Sequence, residues 1–343
     1  MAHGGSNERE AALVADNLVL ANLTGHDSHG IGMLPQYILA VVEKRLTVNA
    51  APEVTGDHGA ILNLDGRMGY GQVIGHDATE LGIRRARETG ACIVSLRNSH
   101  HIGRIGHWGE QCAAAGFVST HYVNVVGRPP LVAPHGGSDA RFATNPYCCA
   151  LPAAEANGEP VVLDMATSKI AMGKVRVAMN KGEEVAADTL IDAQGRPTND
   201  PRTMFSDPMG AILAFGGHKG YGLAVIVELL AGALTGGGTL HDANWKRNTI
   251  TNNMLSIIID PAKLGGADSW RQEVAAFVKW VKASPSSRNG GDVLVAGEPE
   301  RRSKAERLAK GIPVDATTWS EIIAAGESVG IDAVQTNAAA GLG

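Results

Sequence analysis

The chain has 343 residues, 44% of them hydrophobic, and a formal net charge of −5 at neutral pH. At about 150 residues per domain, this length predicts one large or two modest domains with a substantial core. The acidic balance offers no basic surface for a phosphate backbone, so we expect no nucleic-acid partner. The 43 glycines follow no three-residue repeat, which excludes a collagen-like chain.

Neither a secretory signal nor a membrane span is predicted. The first residues lack a basic region followed by an apolar one, and no apolar run approaches the ~18 residues of a transmembrane helix. The longest run, Leu223 to Leu234, contains Glu228 and Gly232. Four cysteines do not make a disulfide framework, and we expect them to be small buried hydrophobes in a cytoplasmic protein. They are Cys92, Cys112, Cys148 and Cys149.

The N-terminal part of the chain is predicted to be helical. Apolar residues at helical spacing predict one helix from Asn7 to Leu23, with Ser6 as its N-cap, and another from Pro35 to Arg45. The polar loop His26 to Gly30 is therefore held between two helices.

The middle of the chain mixes strands and helices. Strands are predicted at Ala60–Leu64, Ala91–Leu96, Phe117–Val126, Pro146–Leu151, Val161–Asp164 and Leu255–Asp260. Helices are predicted at Val73–Glu88, Trp108–Ala115 and Gly217–Leu234. Because several strands follow one another through short connections, we predict an α+β fold with a mainly antiparallel sheet and not a doubly wound parallel one.

The C-terminal part is predicted to return to helix, at Ser269–Lys282, Arg301–Lys310 and Thr318–Ala325. Helical segments at both ends around an α/β middle suggest two spatial units. We expect an α/β domain over residues 51–260 and a discontinuous helical domain made of residues 1–50 and 261–343.

Two polar segments carry histidines that could take part in catalysis. In Asp27-Ser28-His29-Gly30, a histidine lies beside a hydroxyl and a carboxylate, which suits a general acid or base; the alternative is a turn with a solvent-exposed histidine. The segment Asn98 to Arg104 directly follows an apolar strand, a common position for functional side chains. His100, His101 and His107 could instead bind a metal ion, although no recognised zinc-ligand spacing accompanies them.

Two glycine-rich segments could hold a nucleotide. Gly69 to Gly75 resembles a dinucleotide fingerprint, but its last glycine comes one residue late and no acidic partner follows at the expected spacing, so we interpret it as a tight turn with helix packing. Gly216 to Gly222 precedes an apolar helix, and its backbone N–H groups with Lys219 could hold a pyrophosphate or a carboxylate. Simple close packing of these glycines is the alternative.

Three further segments remain open between a functional and a structural interpretation. Asp164 to Ser168 ends a strand and could accept a hydrogen bond from a ribose hydroxyl, or Asp164 could cap a following helix. Thr144-Asn145-Pro146 could bind an amide or carbonyl, or form a turn before proline. Cys148 and Cys149 have no base beside them in sequence, which favours core packing.

Taken together and in this order, the motifs resemble the malate/L-lactate dehydrogenase family of NAD(P)-dependent oxidoreductases, which does not use a Rossmann fold. The matching segments are GHDSHGIGMLPQY (Gly25 to Tyr37), NSHHIGRIGHW (Asn98 to Trp108), ATNP (Ala143 to Pro146), DMATS (Asp164 to Ser168) and GGHKGYGL (Gly216 to Leu223). SHGIGM and the run from NSHHIGRIG to EQCAAAGFVS look most like the bacterial hydroxycarboxylate dehydrogenase branch. The resemblance covers nearly the whole chain. It implies a mainly antiparallel cofactor-binding sheet, a helical domain from both termini, NAD(H) or NADP(H) as cofactor, and a homodimer.

The resemblance also implies roles for individual residues. His101 matches the acid/base histidine of the family, and Ser28 with His29 matches a Ser-His pair used by other members, so the proton donor is left open between the two histidines. Tyr37 matches a substrate-side tyrosine, with Thr144, Asn145 and Arg141 as further substrate-binding candidates. The expected cofactor-binding residues are His101, Ile102, Gly103, Arg104, Ile105, Asp164, Met165, Ala166, Lys219, Gly220 and Gly297. No metal ion is expected.

The chain departs from the family pattern at three places. Many members have an arginine four residues after the SHG histidine, where this chain has Met33, so the cation for a substrate carboxylate must come from elsewhere. Arg104, Arg128, Arg141 and Lys219 are the candidates, and a more apolar, roomier pocket is expected. Ala296 replaces the proline that often precedes the glycine at position 297. The chain also begins roughly one helix later than many relatives, which predicts different N-terminal packing over the site.

The activity that the resemblance implies is reversible reduction of a 2-oxo acid to a 2-hydroxy acid, by hydride transfer from NAD(P)H and proton transfer from a histidine. Its partner is then a small-molecule acid. Two alternatives from other classes remain: a metal-dependent hydrolase or lyase that uses the three histidines, and a non-catalytic NAD(P)-binding regulator.

Overall fold

A computed structural model describes residues 1–155, 158–241, 244, 248–265, 269–287 and 290–341. The helices in this part of the chain are α1 (Glu8–Leu23), α2 (Leu34–Val42), α3 (Gly71–Thr89), α4 (Gly106–Ala114), α5 (Met172–Lys181), α6 (His218–Val227), α7 (Ser269–Lys282), α8 (Glu298–Lys310), α9 (Ala316–Glu327) and α10 (Ala333–Ala339). The strands are β1 (Glu53–Asp57), β2 (Ile61–Asp65), β3 (Ala91–Ser99), β4 (Val118–Val126), β5 (Tyr147–Leu151), β6 (Val161–Met165), β7 (Leu190–Ile191), β8 (Pro197–Thr198), β9 (Ala211–Ile212) and β10 (Thr251–Ile259).

Seven strands form the central sheet, in the order β1-β2-β3-β10-β4-β5-β6. Every neighbouring pair is antiparallel except β2 and β3, which are parallel and joined by α3. A parallel pair needs such a crossover, whereas short connections suffice for the antiparallel pairs. The predicted α+β fold with a mainly antiparallel sheet is confirmed.

One face of the central sheet packs against α3 and α4. Along β3, residues alternate between buried and half-buried, as a strand with one covered face requires. Trp108 of α4 is completely buried, and a Cβ added at Gly75 of α3 would lie 2.5 Å from its ring. The two helices therefore meet through a glycine opposite an indole, which fixes the position of the segment that precedes α4.

The helices at the two ends of the chain pack against each other. Side chains of α1 and α2, including Val14, Leu18 and Tyr37, form a second apolar cluster with Tyr70 and Val73 at the start of α3. From the C-terminal part, α8 contacts α1 and α9 contacts α2. This packing surrounds the polar loop of residues 26–33, which forms two short 3-10 turns, Asp27–His29 and Ile31–Met33.

Several element ends differ from the sequence-based predictions. The N-cap of α1 is Asn7, and not Ser6, because the Asn7 side chain accepts a hydrogen bond of 2.9 Å from the Glu10 backbone N–H. The second helix ends at Val42 and not at Arg45, since Lys44 takes a left-handed conformation with φ of 58°. The predicted helix to Leu234 is α6 followed by a π-helical stretch, Glu228–Leu234.

Short strands and elements with few buried residues were missed. β1 is almost fully exposed, and β7, β8 and β9 have two residues each and form a small separate sheet. Neither α5 nor α10 was predicted, because α5 buries only Val175 and α10 buries none of its residues. Asp164 does not cap α5, which begins eight residues later; its carboxylate instead accepts a hydrogen bond of 2.9 Å from Gly106 N–H at the start of α4.

None of the helices in the described part of the chain is long and apolar enough to cross a membrane. All four cysteines lie within the described residues and are unpaired. Cys148 is buried and Cys149 half-buried, which fits the core packing expected for this pair.

Candidate active site

Residues 27–33 owe their tight path to Asn22 and Gly30. The Asn22 side chain donates to Asp27 Oδ1 at 2.7 Å and accepts from Ile31 N–H at 2.8 Å, so one amide joins both 3-10 turns to α1. A Cβ at Gly30 would lie 2.1 Å from Asn22 Oδ1, and only glycine allows this approach. The arrangement places Ser28 and His29 beside the start of α2.

The segment after β3 is held by asparagines of the neighbouring strand β10. Asn253 Oδ1 accepts from Asn98 N–H and Asn252 Oδ1 accepts from Ile102 N–H, both at 3.0 Å. A Cβ at Gly71, the first residue of α3, would lie 2.2 Å from the carbonyl oxygen of His101. The glycine-rich segment therefore forms a tight turn with close packing, as predicted. It lies against the backbone of His101.

These segments bring together four residues predicted from the sequence. The Tyr37 hydroxyl and His101 Nδ1 are 2.6 Å apart. The rings of His29 and His101 stack with centroids 5.5 Å apart and an interplanar angle of 18°, and Ser28 Oγ is 3.0 Å from His29 Nδ1. Ser28, His29, Tyr37 and His101 thus form one group, which we call the histidine group.

Burial keeps the imidazoles of this region neutral. Loss of solvation lowers the pKa of His29 to about 4, with smaller contributions from His26 and Arg104. Burial likewise lowers the pKa of His101 well below its ordinary value, and His29 and His100 add to the effect. Burial raises the pKa of Tyr37, so its phenol keeps its proton. A neutral imidazole can donate through one nitrogen and accept through the other.

A buried ion cluster lies next to the histidine group. Arg104 is 3% exposed, forms an ion pair with Glu110, and has its Nη1 3.6 Å from Asp164 Oδ2. Burial raises the pKa of the Asp164 carboxyl, and the facing guanidinium offsets part of this rise. The predicted residues Arg104 and Asp164 are therefore neighbours, although they are 60 positions apart in the sequence.

Other predicted cofactor residues lie along the end of β6. The backbone N–H and the hydroxyl of Thr167 both bond to the carbonyl of Thr144 at 2.9 Å. Phe215 N–H bonds to the Thr167 carbonyl at 3.0 Å, which joins the turn before α6 to the residues that follow Met165 and Ala166. Lys219 and Gly220 lie in the first turn of α6. Gly297 lies in the C-terminal loop that pairs with β6, where Ala296 accepts a hydrogen bond from Val162 N–H.

Two of the predicted substrate residues have other partners. Asn145 is completely buried, and its Nδ2 donates to Glu228 Oε2 at 2.6 Å. Arg141 is exposed and pairs with Asp139 on the same loop. It lines a cavity of about 510 Å³ with Glu228, Leu229 and seven other residues, none of which belongs to the histidine group. The structure therefore does not bring Arg141 together with His101.

Met33 packs in an apolar cluster, as its side chain suggests. It lies against the cluster that contains Val14, Leu18 and Tyr37. An apolar wall therefore stands next to the histidine group at this position. Within the described residues, no three His, Cys, Asp or Glu side chains are grouped as metal ligands.

Sequence reasoning missed the residues that shape the site without carrying charge. Gln72 donates a hydrogen bond of 2.8 Å to the Tyr37 hydroxyl and is 1% exposed. Its only sequence signal was its place in the glycine-rich segment. Asn22 and Asn252 were also missed, because their partners are local turns or neighbouring strands that a pattern search does not join.

The antiparallel sheet with a buried histidine group at the end of β3 defines a class of proteins distinct from Rossmann dehydrogenases, and the comparisons with known proteins identify it. A sequence model described as malate/L-lactate dehydrogenase matches residues 1–323. The chain belongs to this family and is an oxidoreductase of the dehydrogenase type, and membership implies a nicotinamide cofactor.

Individual relatives support the assignment. The chain is 48% identical to hydroxycarboxylate dehydrogenase B of Escherichia coli strain K12 over 329 residues, which cover 95% of this chain and 90% of the relative. It is 40% identical to an L-lactate dehydrogenase of Cupriavidus necator, over 93% of this chain and 90% of the relative. The solved structure of sulfolactate dehydrogenase from Methanocaldococcus jannaschii superimposes with a TM-score of 0.83 at 31% identity, over 96% of this chain and 93% of the other.

Proposed function

We propose that this protein interconverts a 2-oxo acid and a 2-hydroxy acid, with NAD(H) or NADP(H) as cofactor and His101 as the group that moves the proton. The observation that carries the proposal is the hydrogen bond of 2.6 Å between Tyr37 and His101 Nδ1 inside the buried histidine group. This bond occupies Nδ1 and leaves Nε2 for the substrate. The names of the relatives, which include L-lactate and sulfolactate dehydrogenases, support the substrate class.

The residues present fit a nicotinamide cofactor. Gly216 and Gly217 have positive φ angles, a Cβ at Gly216 would meet no atom within 4 Å, and both precede the first turn of α6. Such a turn presents backbone N–H groups to a phosphate, and Lys219 adds a positive charge. A polar strand end with Asp164 lies along the same edge, next to the segment of residues 101–105.

These residues would divide the work of holding the cofactor. Lys219 and Gly220 would bind phosphate, Asp164 with Met165 and Ala166 would receive the ribose, and Gly297 would close the far side. Ile102, Gly103, Arg104 and Ile105 would provide the backbone next to the reactive ring. When bound, the nicotinamide supplies the hydride that adds to C2 of the 2-oxo acid.

His101 handles the proton in this scheme. In the reducing direction the imidazolium form of His101 gives its Nε2 proton to the oxygen that forms at C2 and becomes a neutral imidazole with its remaining proton on Nδ1. In the oxidising direction the neutral ring takes the proton of the hydroxyl back through Nε2. The stacked ring of His29 excludes water on one side of His101 and, with Ser28, can hydrogen-bond the substrate. Tyr37 acts through His101, because its hydroxyl is bonded to that ring.

The substrate carboxylate needs a cation that position 33 does not supply. We favour Arg104 among the candidates, because it follows His101 by three residues and its charge contributes to the lowered pKa of His29. Thr144 lies at the edge formed by residues 164–167 and would bind the acid from the opposite side, whereas the buried Asn145 side chain is bonded to Glu228. Met33 makes one wall apolar, so we expect the enzyme to accept 2-oxo acids with apolar side chains.

The assembly and location follow from the same assignment. We propose a homodimer that forms through the exposed face of α6 and the π-helical stretch, where Ile226 and Leu229 are each 49% exposed and Leu234 is 67% exposed. Apolar surface of this kind is normally covered in an obligate interface. Four unpaired cysteines suit the cytoplasm. We also propose that residues 51–260 form the α/β domain and that residues 1–50 and 261–343 form the helical domain.

The function is tested by following the absorbance of NADH and NADPH separately, with EDTA present, in the presence of pyruvate, oxaloacetate, 2-oxoglutarate and phenylpyruvate. We expect oxidation of one cofactor with at least one 2-oxo acid, and faster turnover with the apolar side chains. Cofactor binding without turnover on any acid would favour a regulator. No binding of either cofactor would contradict the proposal, and activity that EDTA abolishes would favour the metal-dependent alternative.

A further inference from the structure

Gln72 is linked to the half-buried His101 through Tyr37, and both Gln72 and Tyr37 lie in the interior. Gln72 Nε2 is 2.8 Å from the Tyr37 hydroxyl, which is 2.6 Å from His101 Nδ1. Gln72 is 1% exposed and Tyr37 is 0% exposed. Solvent therefore cannot replace either hydrogen bond, and the direction of each one is set by the side chains alone.

The direction of these bonds fixes the tautomer of His101. An amide nitrogen can only donate, so the Tyr37 oxygen accepts from Gln72 and its single proton is donated to His101 Nδ1. A neutral imidazole that accepts at Nδ1 carries its proton on Nε2. In this arrangement the nitrogen that faces the substrate is a donor.

The reaction needs the opposite arrangement, because a neutral His101 that gave away a proton from Nε2 would become an imidazolate. To take a proton from a substrate hydroxyl, Nε2 must be bare, and Nδ1 must then carry the proton and donate it to the Tyr37 oxygen. The Tyr37 proton would then need an acceptor. A half-turn of the Gln72 amide would bring Oε1 to that position, so the two ends of one amide could serve the two tautomers. The same flipped arrangement would also suit the imidazolium form.

Within the described residues, two acceptor atoms at the Gln72 amide and beside it lack a hydrogen-bond partner. Gln72 Oε1 and Asn17 Oδ1 are buried, and neither has a hydrogen-bond partner in the part of the chain that the structure describes. A Cβ at Gly103 would be 2.6 Å from Asn17 Oδ1 and 3.5 Å from Gln72 Nε2, so both amides border the same spot. Two unpaired acceptors beside one amide mean that the observed orientation does not satisfy every buried group.

We propose that Gln72 is a positioning residue that selects the tautomer of His101 through Tyr37. With its nitrogen toward Tyr37 it places the proton of His101 on Nε2, and with its oxygen toward Tyr37 it places the proton on Nδ1. This inference rests on the proposed role of His101 in 2-oxo acid reduction, but the tautomer itself can be measured without substrate or cofactor.

The charged and titratable groups around His101 come from several elements. His29 faces it from the 3-10 turn, His100 from the end of β3, and Tyr37 from α2. Arg104 acts on His29 from the segment after β3, and Tyr70 faces Tyr37 from the residue before α3. Gln72 is itself uncharged. Replacement of its amide by a carboxylate therefore adds one negative charge and a group that accepts hydrogen bonds but cannot donate them.

Two substitutions at position 72 give opposite expectations. In Gln72→Glu the ionised carboxylate only accepts, so Tyr37 donates to it and His101 carries its proton on Nδ1. We expect the pKa in the kcat profile to rise by about one unit or more, which is a tenfold change in proton affinity. In Gln72→Met no acceptor for Tyr37 remains, so the Nε2 tautomer is fixed, that pKa falls, and hydroxy acid oxidation slows by about tenfold or more.

The decisive measurement is ¹⁵N NMR of histidine-labelled protein, with the His101 signals assigned by their loss in His101→Gln. We expect a protonated Nε2 and a bare Nδ1 in the wild type, and the reverse in Gln72→Glu. The double variant Tyr37→Phe with Gln72→Glu separates the hydrogen-bond relay from the charge: with Tyr37 removed, the tautomer should no longer follow position 72. Gln111→Met removes a half-buried amide in α4 and should leave the tautomer and the kcat profile unchanged.

The same tautomer in the wild type and Gln72→Glu, or equal losses of turnover in both variants with an unmoved pH profile, would overturn the proposal and leave Gln72 a purely structural residue. If Gln72→Glu does not fold, the tautomer of the wild type and of Gln72→Met still decides, since a proton on Nδ1 in both contradicts the relay. Absence of 2-oxo acid turnover in the wild type would contradict the proposed function and leave the NMR test intact.

Discussion

Individual residues in the histidine group have different partners, which predicts different roles for the two stacked histidines. His101 is bonded to the buried Tyr37, whereas His29 is bonded to Ser28 on its own turn. The nearby His29 also lowers the pKa of His101, after the larger effect of burial. We therefore propose that His29 tunes His101 and does not replace it.

We predict that His29→Asn keeps measurable turnover, with kcat/KM lowered by about tenfold, and raises the apparent pKa in the kcat profile because one neighbouring imidazole is gone. Steady-state kinetics between pH 5 and 9 check this. Ser28→Ala is the matched control, since it removes the partner of His29 and leaves both rings in place. Complete loss of turnover in His29→Asn, with His101→Asn still active, would make His29 the proton donor.

His121 shows how a buried neutral histidine affects stability. It lies in β4 between Ser119 and Ser256, with ring nitrogens 3.0 and 2.8 Å from their hydroxyls, and burial lowers its pKa to about 3. The unfolded chain binds this proton near the ordinary value of about 6.5, and the folded chain does so only near pH 3. The stability that depends on neutral His121 is therefore complete above pH 6.5 and is lost as the pH falls from there toward 3.

We predict that the unfolding free energy of His121→Gln depends less steeply on pH in this window, by up to about 1.4 kcal/mol per pH unit. Urea unfolding at pH 7.5, 6.0 and 5.0 measures the slope. His58→Gln, at an exposed position, is the control. An unchanged slope in His121→Gln would show that another group accounts for the acid sensitivity.

At the scale of elements, the first turn of α3 packs against the backbone of His101 and positions this residue. The first residue of this helix, Gly71, approaches the carbonyl of His101, and Gly75 in the next turn approaches the ring of Trp108. The same substitution at the two positions therefore strains different parts of the protein. At Gly71 the obstacle is backbone, which cannot move aside as a flexible side chain can.

We predict that Gly71→Ala lowers kcat by about tenfold or more, because displacement of His101 by a fraction of an ångström disturbs alignment. Gly75→Ala should lower the melting temperature through the overpacked contact with Trp108, while the folded fraction keeps near-normal kcat. Thermal unfolding and kinetics on both variants test this pair. Normal kcat in a folded Gly71→Ala variant would contradict the role of α3.

Local patterns predicted most helices and strands of this fold, because their apolar residues recur at helical or strand spacing. α7, predicted from Ser269 to Lys282, has those bounds. The exposed β1 and the two-residue strands were missed, since their burial patterns carry little periodic signal. The pairing of β10 with both β3 and β4 was also outside the reach of local patterns, because it joins segments more than a hundred residues apart.

The site was predictable in part for the same reason. Ser28, His29 and His101 lie in short polar segments that directly follow an apolar helix or strand. Their contact with one another depends on how α1 and α2 pack against the start of α3, and Tyr37 and His101 are 64 positions apart. Arg141 was selected for its charge alone, and its place in a separate cavity could only follow from the path of its loop.

The molecule as a whole exposes apolar side chains on the face of α6 and the π-helical stretch. We predict that the protein is a dimer in solution and that Leu229→Glu produces monomers, because a charge at a buried position of an interface is costly. Sedimentation velocity measures the change. Val54→Glu, at an equally exposed position on the edge strand β1, is the control and should stay dimeric. A wild-type monomer would contradict the proposed assembly.

In the whole molecule, one imidazole lies where the helical ends of the chain, the central sheet and the glycine-rich turn meet. We propose that this imidazole, His101, moves the proton during hydride transfer. The most direct test is the single-turnover rate of 2-oxo acid reduction by the NADH- or NADPH-loaded enzyme, in the wild type and in His101→Asn. We predict that His101→Asn lowers this rate by about a hundredfold or more and leaves cofactor binding, measured by fluorescence, unchanged. An unchanged rate in a folded, cofactor-binding His101→Asn variant would contradict it.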